Sequence, residues 1–331
     1  MNLILIIPLV ISFFVVFFIL PKWIKKARKI GLVWEDVNKY KKIKVAGSGG
    51  LIVILGFILG ILFYIFLKTF YFKTQSNIIE IFALTTSILI LAVVGLVDDL
   101  LGWWSGGLSK KFRLVMCILA SIPLIVINSG HSEISLPFLG LINLGIFYPL
   151  VLVPLGITGA ATTFNFLAGF NGLEAGQGIL LIGALSLVAY LTGSSWLALI
   201  GLCMIVALIA FLYYNKFPAK IFPGDVLTYP VGGLIAIMAI LGNFEKIAVF
   251  FFLPCIIETF LKLRGKLKIQ SFGKPKKDGS LDLKQKRIYS LNHLAISILK
   301  KIKGKAYEKD VVLLIWLFQL LIILLGLLIF F

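Results

Sequence analysis

The sequence predicts an all-α, polytopic membrane protein with about ten transmembrane helices, and three observations carry that reading. Of its 331 residues 60% are hydrophobic and the mean hydropathy is +1.07, where soluble domains sit near half apolar. Uncharged runs such as Leu3–Leu20 and Val311–Phe331 are long enough to cross a ~30 Å hydrocarbon core, which takes roughly 20 helical residues. All 32 Lys and Arg except Lys68, Lys73 and Lys246 fall on one side of the expected membrane, the bias that marks cytoplasmic segments.

The expected spans are 2–20, 48–67, 79–97, 112–128, 146–167, 178–193, 196–213, 226–242, 247–263 and 311–330. The first has no lysine before it and no small-residue cleavage site after it, so it is expected to stay as a helix. Pro154 interrupts the fifth span and Glu258 lies inside the ninth. With both termini outside, the basic inner segments are 21–47, 98–111, 168–177, 214–225 and 264–310, all within one integral membrane domain covering 1–331. Cys117, Cys203 and Cys255 lie in apolar runs without metal or disulfide spacing and are read as packing residues. His131 and His293 are too few for a histidine-rich metal site. The net charge of +18 follows largely from topology and attraction to anionic headgroups, and in part suits an anionic substrate. Nothing resembles a nucleic-acid recognition fold.

Charges beside apolar helices are costly and are usually functional. The informative ones fall at the inner helix ends. Asp98 and Asp99 end the run LAVVGLVDDL. Adjacent helical positions diverge by ~100°, so one can face a cleft while the other binds backbone or a lysine. Acids are disfavoured at a helix C-terminus, which argues against accident. The stretch from Asn165 through Asn171 to Glu174 gathers two amides, a carboxylate and several glycines, though Asn-Gly alone would signal only a turn. Asp225, in FPGD, reads equally as a simple N-cap. Lys110, Lys111 and Arg113 could each be topology anchors. Asp36-Val-Asn38-Lys39 precedes Gly47-Ser48-Gly49-Gly50, where small residues permit tight packing or close approach of a phosphate to backbone N–H groups. Acids, amides and lysines on one membrane face suit phosphoryl transfer, which needs mainly positioning and electrostatics. A hard cation such as Mg²⁺ takes one or two protein oxygens and the rest from phosphate and water. No GxxxxGK[ST] loop is present, which disfavours an ATPase.

On DVNK at 36–39, GLVDD at 95–99, NFLAGFNGLEAGQ at 165–177 and FPGD at 222–225, the chain resembles the polyprenyl-phosphate N-acetylhexosamine-1-phosphate transferases. It is most similar to the eukaryotic and archaeal branch that uses UDP-GlcNAc and dolichyl phosphate. The resemblance implies ten helices and an active site on cytoplasmic loops, in the cell membrane of an archaeon. It implies transfer of GlcNAc-1-phosphate to a lipid phosphate with release of UMP. It makes Asn165 and Asp225 the ligands of Mg²⁺, with Mn²⁺ as an alternative ion. Lys111 would meet the lipid phosphate, with Asp98 and Asp99 as its acidic neighbours. Asn171 and Phe222 would hold uridine, Phe222 by stacking. Asn38, Lys39 and Glu174 would complete the substrate site, Glu174 where the bacterial branch carries Asp. In the family a basic cluster with histidine grips the pyrophosphate; here the aligned positions read Arg264-Gly265-Lys266. The implied partners are UDP-GlcNAc, the dolichyl or polyprenyl phosphate and the bilayer, with a homodimer as an open alternative. A nucleotide-sugar or lipid-linked-sugar transporter competes with this reading. Transporter sites lie near the midplane on broken helices of related halves, whereas these polar residues cluster at the inner ends. A muramyl-pentapeptide enzyme is the other alternative, and NGLEAGQ lacks that branch's Asp-rich pattern.

Overall fold

The computed structural model describes residues 3–130, 133–136 and 140–331, with the backbone alone at 105, 133–136 and 140–142; His131 lies outside them. Among the described residues seven helices are long and apolar enough to cross a membrane. They are α1 (Ile6–Ile30), α2 (Gly50–Phe66), α3 (Ile78–Ser105), α7 (Leu173–Leu191), α8 (Ser195–Asn215), α9 (Asp225–Gly242) and α13 (Glu308–Phe330). The chain is a multi-pass integral membrane protein.

The other three expected spans are each built in two pieces, and proline explains all three breaks. At 112–128 the chain forms α4 (Lys110–Leu119) and then α5 (Ile122–Val126), with Pro123 in the first turn of α5. At 146–167 a wide turn over Tyr148–Leu152 leads into α6 (Val153–Phe164), with Pro154 in its first turn. At 247–263, α10 (Glu245–Phe251) gives way to α11 (Leu253–Arg264), with Pro254 in its first turn. Proline has no N–H to donate and its ring clashes with the preceding turn, so a helix restarts there. Pro21 and Pro230 stay inside α1 and α9.

The inner segments are more helical than their polarity suggested. α1 runs on to Ile30, α3 to Ser105, and α7 begins at Leu173 instead of near 178. Glu174 and Gln177 are therefore helical residues, one turn apart. Between α1 and α2 a short antiparallel hairpin pairs β1 (Val33–Glu35) with β2 (Lys44–Ala46). A second pairs β3 (Glu133–Leu136) with β4 (Gly140–Asn143). The basic segment after α11 forms a third hairpin, β5 (Lys274–Pro275) with β6 (Leu281–Asp282), and then the amphipathic helix α12 (Leu291–Lys303).

α9 is the hub of the bundle: 83% of its apolar window is buried. Glycine lets α3 meet its start. A Cβ on Gly95 would stand 2.3 Å from the Asp225 carbonyl oxygen, so only a hydrogen there allows the two backbones to touch. The three cysteines are buried and unpaired, as packing residues would be.

Candidate active site

At one end of these helices lies a cavity of ≈ 520 Å3, within the ~300–1,000 Å3 range of ligand sites. Asp98, Asp99, Asn165, Asn171, Glu174, Phe222 and Asp225 all line it. Three segments far apart in sequence thus converge on one space.

The acidic pair divides its work. Asp99 caps α9: its Oδ1 accepts from the Asp225 N–H at 2.7 Å and its Oδ2 from the Val226 N–H at 3.5 Å. Asp225 is therefore not the cap; it is the first residue of α9, capped from another helix. Gly224 makes this approach possible, since its φ is +74° and a Cβ on it would lie 2.1 Å from Asp99 Oδ2. Asp98 turns the other way. Its Oδ1 accepts from the Leu108 N–H at 2.7 Å, fixing the turn into α4, and its Oδ2 meets Arg113 Nη1 at 3.0 Å. Tyr229 Oη donates to the same Asp98 Oδ2 at 3.4 Å.

Arg113 is the cation at the centre of this end. It stands 3.8 Å from Asp225 Oδ2 and also reaches Tyr229 Oη. Lys111, two residues earlier on α4, is exposed and does not line the cavity. The spacing is helical: positions 111 and 113 are separated by ~200° around the axis, so one faces the cleft and the other faces away.

Asn165 Nδ2 donates to Asp225 Oδ1 at 3.1 Å, so the two side chains expected to hold a divalent cation are in contact. The donor set fits such an ion. Two hard oxygens, one of them anionic, leave room for phosphate and water oxygens; the amide would turn its oxygen inward in place of its nitrogen. No group of three or more His, Cys, Asp or Glu able to hold a metal occurs among the described residues. The charge balance points the same way: Glu35, Asp36, Asp98, Asp99, Glu174 and Asp225 line the cavity against Arg113 alone among the lining residues. An anionic ligand would need a counter-cation in such a space.

At the other end Glu174 Oε1 accepts from the Gly169 N–H at 2.9 Å, closing the NFLAGFNG loop on itself. Asn171 Nδ2 donates to Asp36 Oδ2 at 3.1 Å, and its backbone N–H donates to Glu308 Oε1 at 2.8 Å. Lys39 pairs with Asp36 at 3.1 Å and with Glu308, and lies 4.3 Å from the ring centre of Phe217. Asn38 is a cross-link: its Nδ2 donates to the Gly169 carbonyl at 2.7 Å and its Oδ1 accepts from the Gly273 N–H at 3.1 Å. Asn38 and Lys39 thus shape the cavity wall without lining it.

The basic segment folds over these loops. Besides the Gly273 bond, Asn292 Nδ2 donates to the Ala168 carbonyl at 3.1 Å, and Phe272 lines the cavity. Arg264 and Lys266 are exposed and outside the lining; Arg264 stands 6.0 Å from the Tyr289 ring centre. The glycine-rich start of α2 takes the tight-packing alternative. Gly49 and Gly50 donate to the carbonyls of Phe222 and Pro223, both at 2.9 Å, which leaves neither amide for a phosphate. Those bonds and a parallel bridge from Ala46 to Ile221 hold the FPGD loop in place.

Residues 81–243 match the profile of glycosyl transferase family 4. A Saccharolobus solfataricus protein provisionally named UDP-N-acetylglucosamine–dolichyl-phosphate N-acetylglucosaminephosphotransferase is 37% identical, over 94% of this chain and 92% of its own length. The Dictyostelium discoideum protein of that name is 27% identical over 72% of this chain and 66% of its own. A phospho-N-acetylmuramoyl-pentapeptide-transferase of Halalkalibacterium halodurans is 28% identical over 82% of this chain and 85% of its own. The family profile over 81–243 and a near full-length match at 37% identity place the chain in glycosyl transferase family 4.

Proposed function

We propose that this protein transfers GlcNAc-1-phosphate from UDP-GlcNAc to a dolichyl or related polyprenyl phosphate and releases UMP, opening lipid-linked oligosaccharide assembly for N-glycosylation. The observation that carries the reading is the convergence of Asp98, Arg113, Asn165 and Asp225 at one end of the cavity, with Asn171 and Phe222 lining the same space. The names of the relatives at 35–37% identity support the same chemistry. The side that bears the cavity carries nearly all the Lys and Arg and is cytoplasmic in this reading.

An oxygen of the acceptor phosphate attacks the β-phosphorus of the nucleotide sugar; the bond from that phosphorus to the UMP oxygen breaks, and UMP leaves. A phosphate monoester with a second pKa near about 6 is already a nucleophile at neutral pH, so no general base is required. Arg113, held by Asp98, offers an always-charged, planar donor to a phosphate. Phe222 offers a face for the uracil. Asn165 and Asp225 would hold Mg²⁺, which when bound neutralises pyrophosphate charge. Asp99 fixes the position of Asp225 through the backbone.

The test is UMP release by the purified protein given UDP-GlcNAc, dolichyl phosphate and Mg²⁺, with EDTA and lipid-free controls. Release that requires lipid and metal is expected, and a panel of nucleotide sugars then fixes the donor. Absence of release with every donor and polyprenyl phosphate, from folded protein, overturns the reading in favour of a transporter.

A further inference from the structure

Glu308 has no counterpart among the residues that the motifs single out. It opens α13, 137 positions from Asn171 in sequence. An acid there would be unremarked as a favourable charge at a helix start, but its bonds run outward. It is only 3% exposed. One carboxylate oxygen accepts the Asn171 N–H and the other accepts from Lys39. Lys39 continues to Asp36, and Asp36 returns to the Asn171 side chain through Nδ2. The four groups close a ring: Glu308, Lys39, Asp36, Asn171.

The ring decides what Asn171 presents. A carboxylate only accepts, so the amide nitrogen must face Asp36, and Oδ1 is the acceptor left to serve the cavity that Asn171 lines. An outward acceptor suits an N–H of the ligand, such as the imide N–H of a uracil. With backbone and side chain both tied, the acceptor is pre-set before the ligand arrives, which is how a buried network raises affinity without touching ligand.

We infer that Glu308 is a positioning residue for nucleotide-sugar recognition, acting through Asn171 from the start of α13. The inference rests on the proposed function. It places the last transmembrane helix in control of donor binding and leaves the acceptor side untouched.

The test uses the full-length protein in detergent. It reads the dissociation constant of UMP by calorimetry, the KM of each substrate, kcat and the melting temperature. Glu308→Ala should weaken UMP binding and raise the KM for UDP-GlcNAc by about 10-fold or more, as loss of a charged hydrogen bond would. The KM for polyprenyl phosphate and kcat should stay near wild type. Glu308→Gln still offers an oxygen to the Asn171 N–H and should recover most of the loss, while Glu308→Asp, one methylene shorter, should not. In an Asn171→Ala background the Glu308 substitution should add at most about twofold, since groups in one network are not additive. If Glu308→Ala does not fold, the order of Gln above Asp carries the test. Equal UMP affinity in a folded Glu308→Ala protein, Asp binding better than Gln, or full additivity with Asn171→Ala overturns the inference alone. A wild-type protein that neither binds nor releases UMP overturns the proposed function and this inference together.

Discussion

The carboxylate of Asp99 accepts the backbone N–H of Asp225 at 2.7 Å, so an acid in the last two turns of one membrane helix caps the start of another. The two helices also touch backbone to backbone at Gly95. The cap therefore ties the GLVDD motif to FPGD and sets where the Asp225 side chain emerges. Losing a helix cap costs typically ~1 kcal/mol. Asp99→Ala should lower the melting temperature and reduce UMP release, whereas Asp99→Asn, with an oxygen still able to cap, should keep the fold. Thermal unfolding read beside activity checks this; an Ala variant as stable as wild type would remove the cap from the account.

Gly224→Ala tests the same junction from the other side. Its added methyl would meet Asp99 Oδ2 at 2.1 Å on a backbone with φ +74°. With ψ at 170° this is a backbone region essentially reserved for glycine, costing another residue on the order of 1–3 kcal/mol before any clash is counted. A folded variant with at least about tenfold lower turnover is expected, because a ligand-bearing group shifted by an ångström loses geometry.

In the proposed reaction Arg113 and Lys111 are the two candidates to hold the acceptor phosphate. Arg113 faces the cavity between Asp98 and Asp225, and Lys111 does not line it. Arg113→Ala should therefore cost more activity than Lys111→Ala, by about 10-fold or more, with Arg113→Lys recovering part of it. The reverse ranking in a kinetic comparison assigns the phosphate to Lys111.

Metal removal is the direct test of the Asn165–Asp225 pair. EDTA should abolish UMP release, and Mg²⁺ or Mn²⁺ should restore it. Asp225→Asn should abolish turnover at every metal concentration while thermal unfolding stays cooperative. Full activity in a chelated sample would show that the acids lining the cavity have another use.

His293 gives a pH dependence. It is 1% exposed on α12, its Nδ1 accepts from the Tyr289 N–H at 3.4 Å, and its Nε2 is buried. Burial holds its pKa below the ordinary 6.5, and nearby Lys262 and Lys284 push the same way. The neutral form is thus favoured in the folded state. Its contribution is intact above the unfolded value near 6.5 and is lost as pH falls from there toward the lower folded pKa. The melting temperature should drop between pH 7 and pH 5, and His293→Gln should flatten that slope; an unchanged slope would place the acid sensitivity elsewhere.

What the sequence determined by itself was everything local chemistry can write. Apolar runs gave the spans, because a hydrocarbon core admits helices and little else. The one-sided lysines set the expected orientation of the cavity-bearing ends. The motifs around Asp98, Asn165 and Asp225 named most of the cavity wall, because buried acids and amides beside apolar helices are rarely incidental. The tertiary structure decided which way each side chain turned. Nothing local distinguishes Arg113 from Lys111, or makes Asp99 the cap for Asp225, since both depend on the rotation of one helix against another. Arg264 and Lys266 had charge suited to a pyrophosphate, yet they lie outside the lining because the fold of the segment after α11 brings Phe272 to the cavity instead. Glu308 carried no signal at all: its partners lie on loops more than a hundred residues away, and only packing α13 against α7 brings them within hydrogen-bonding reach.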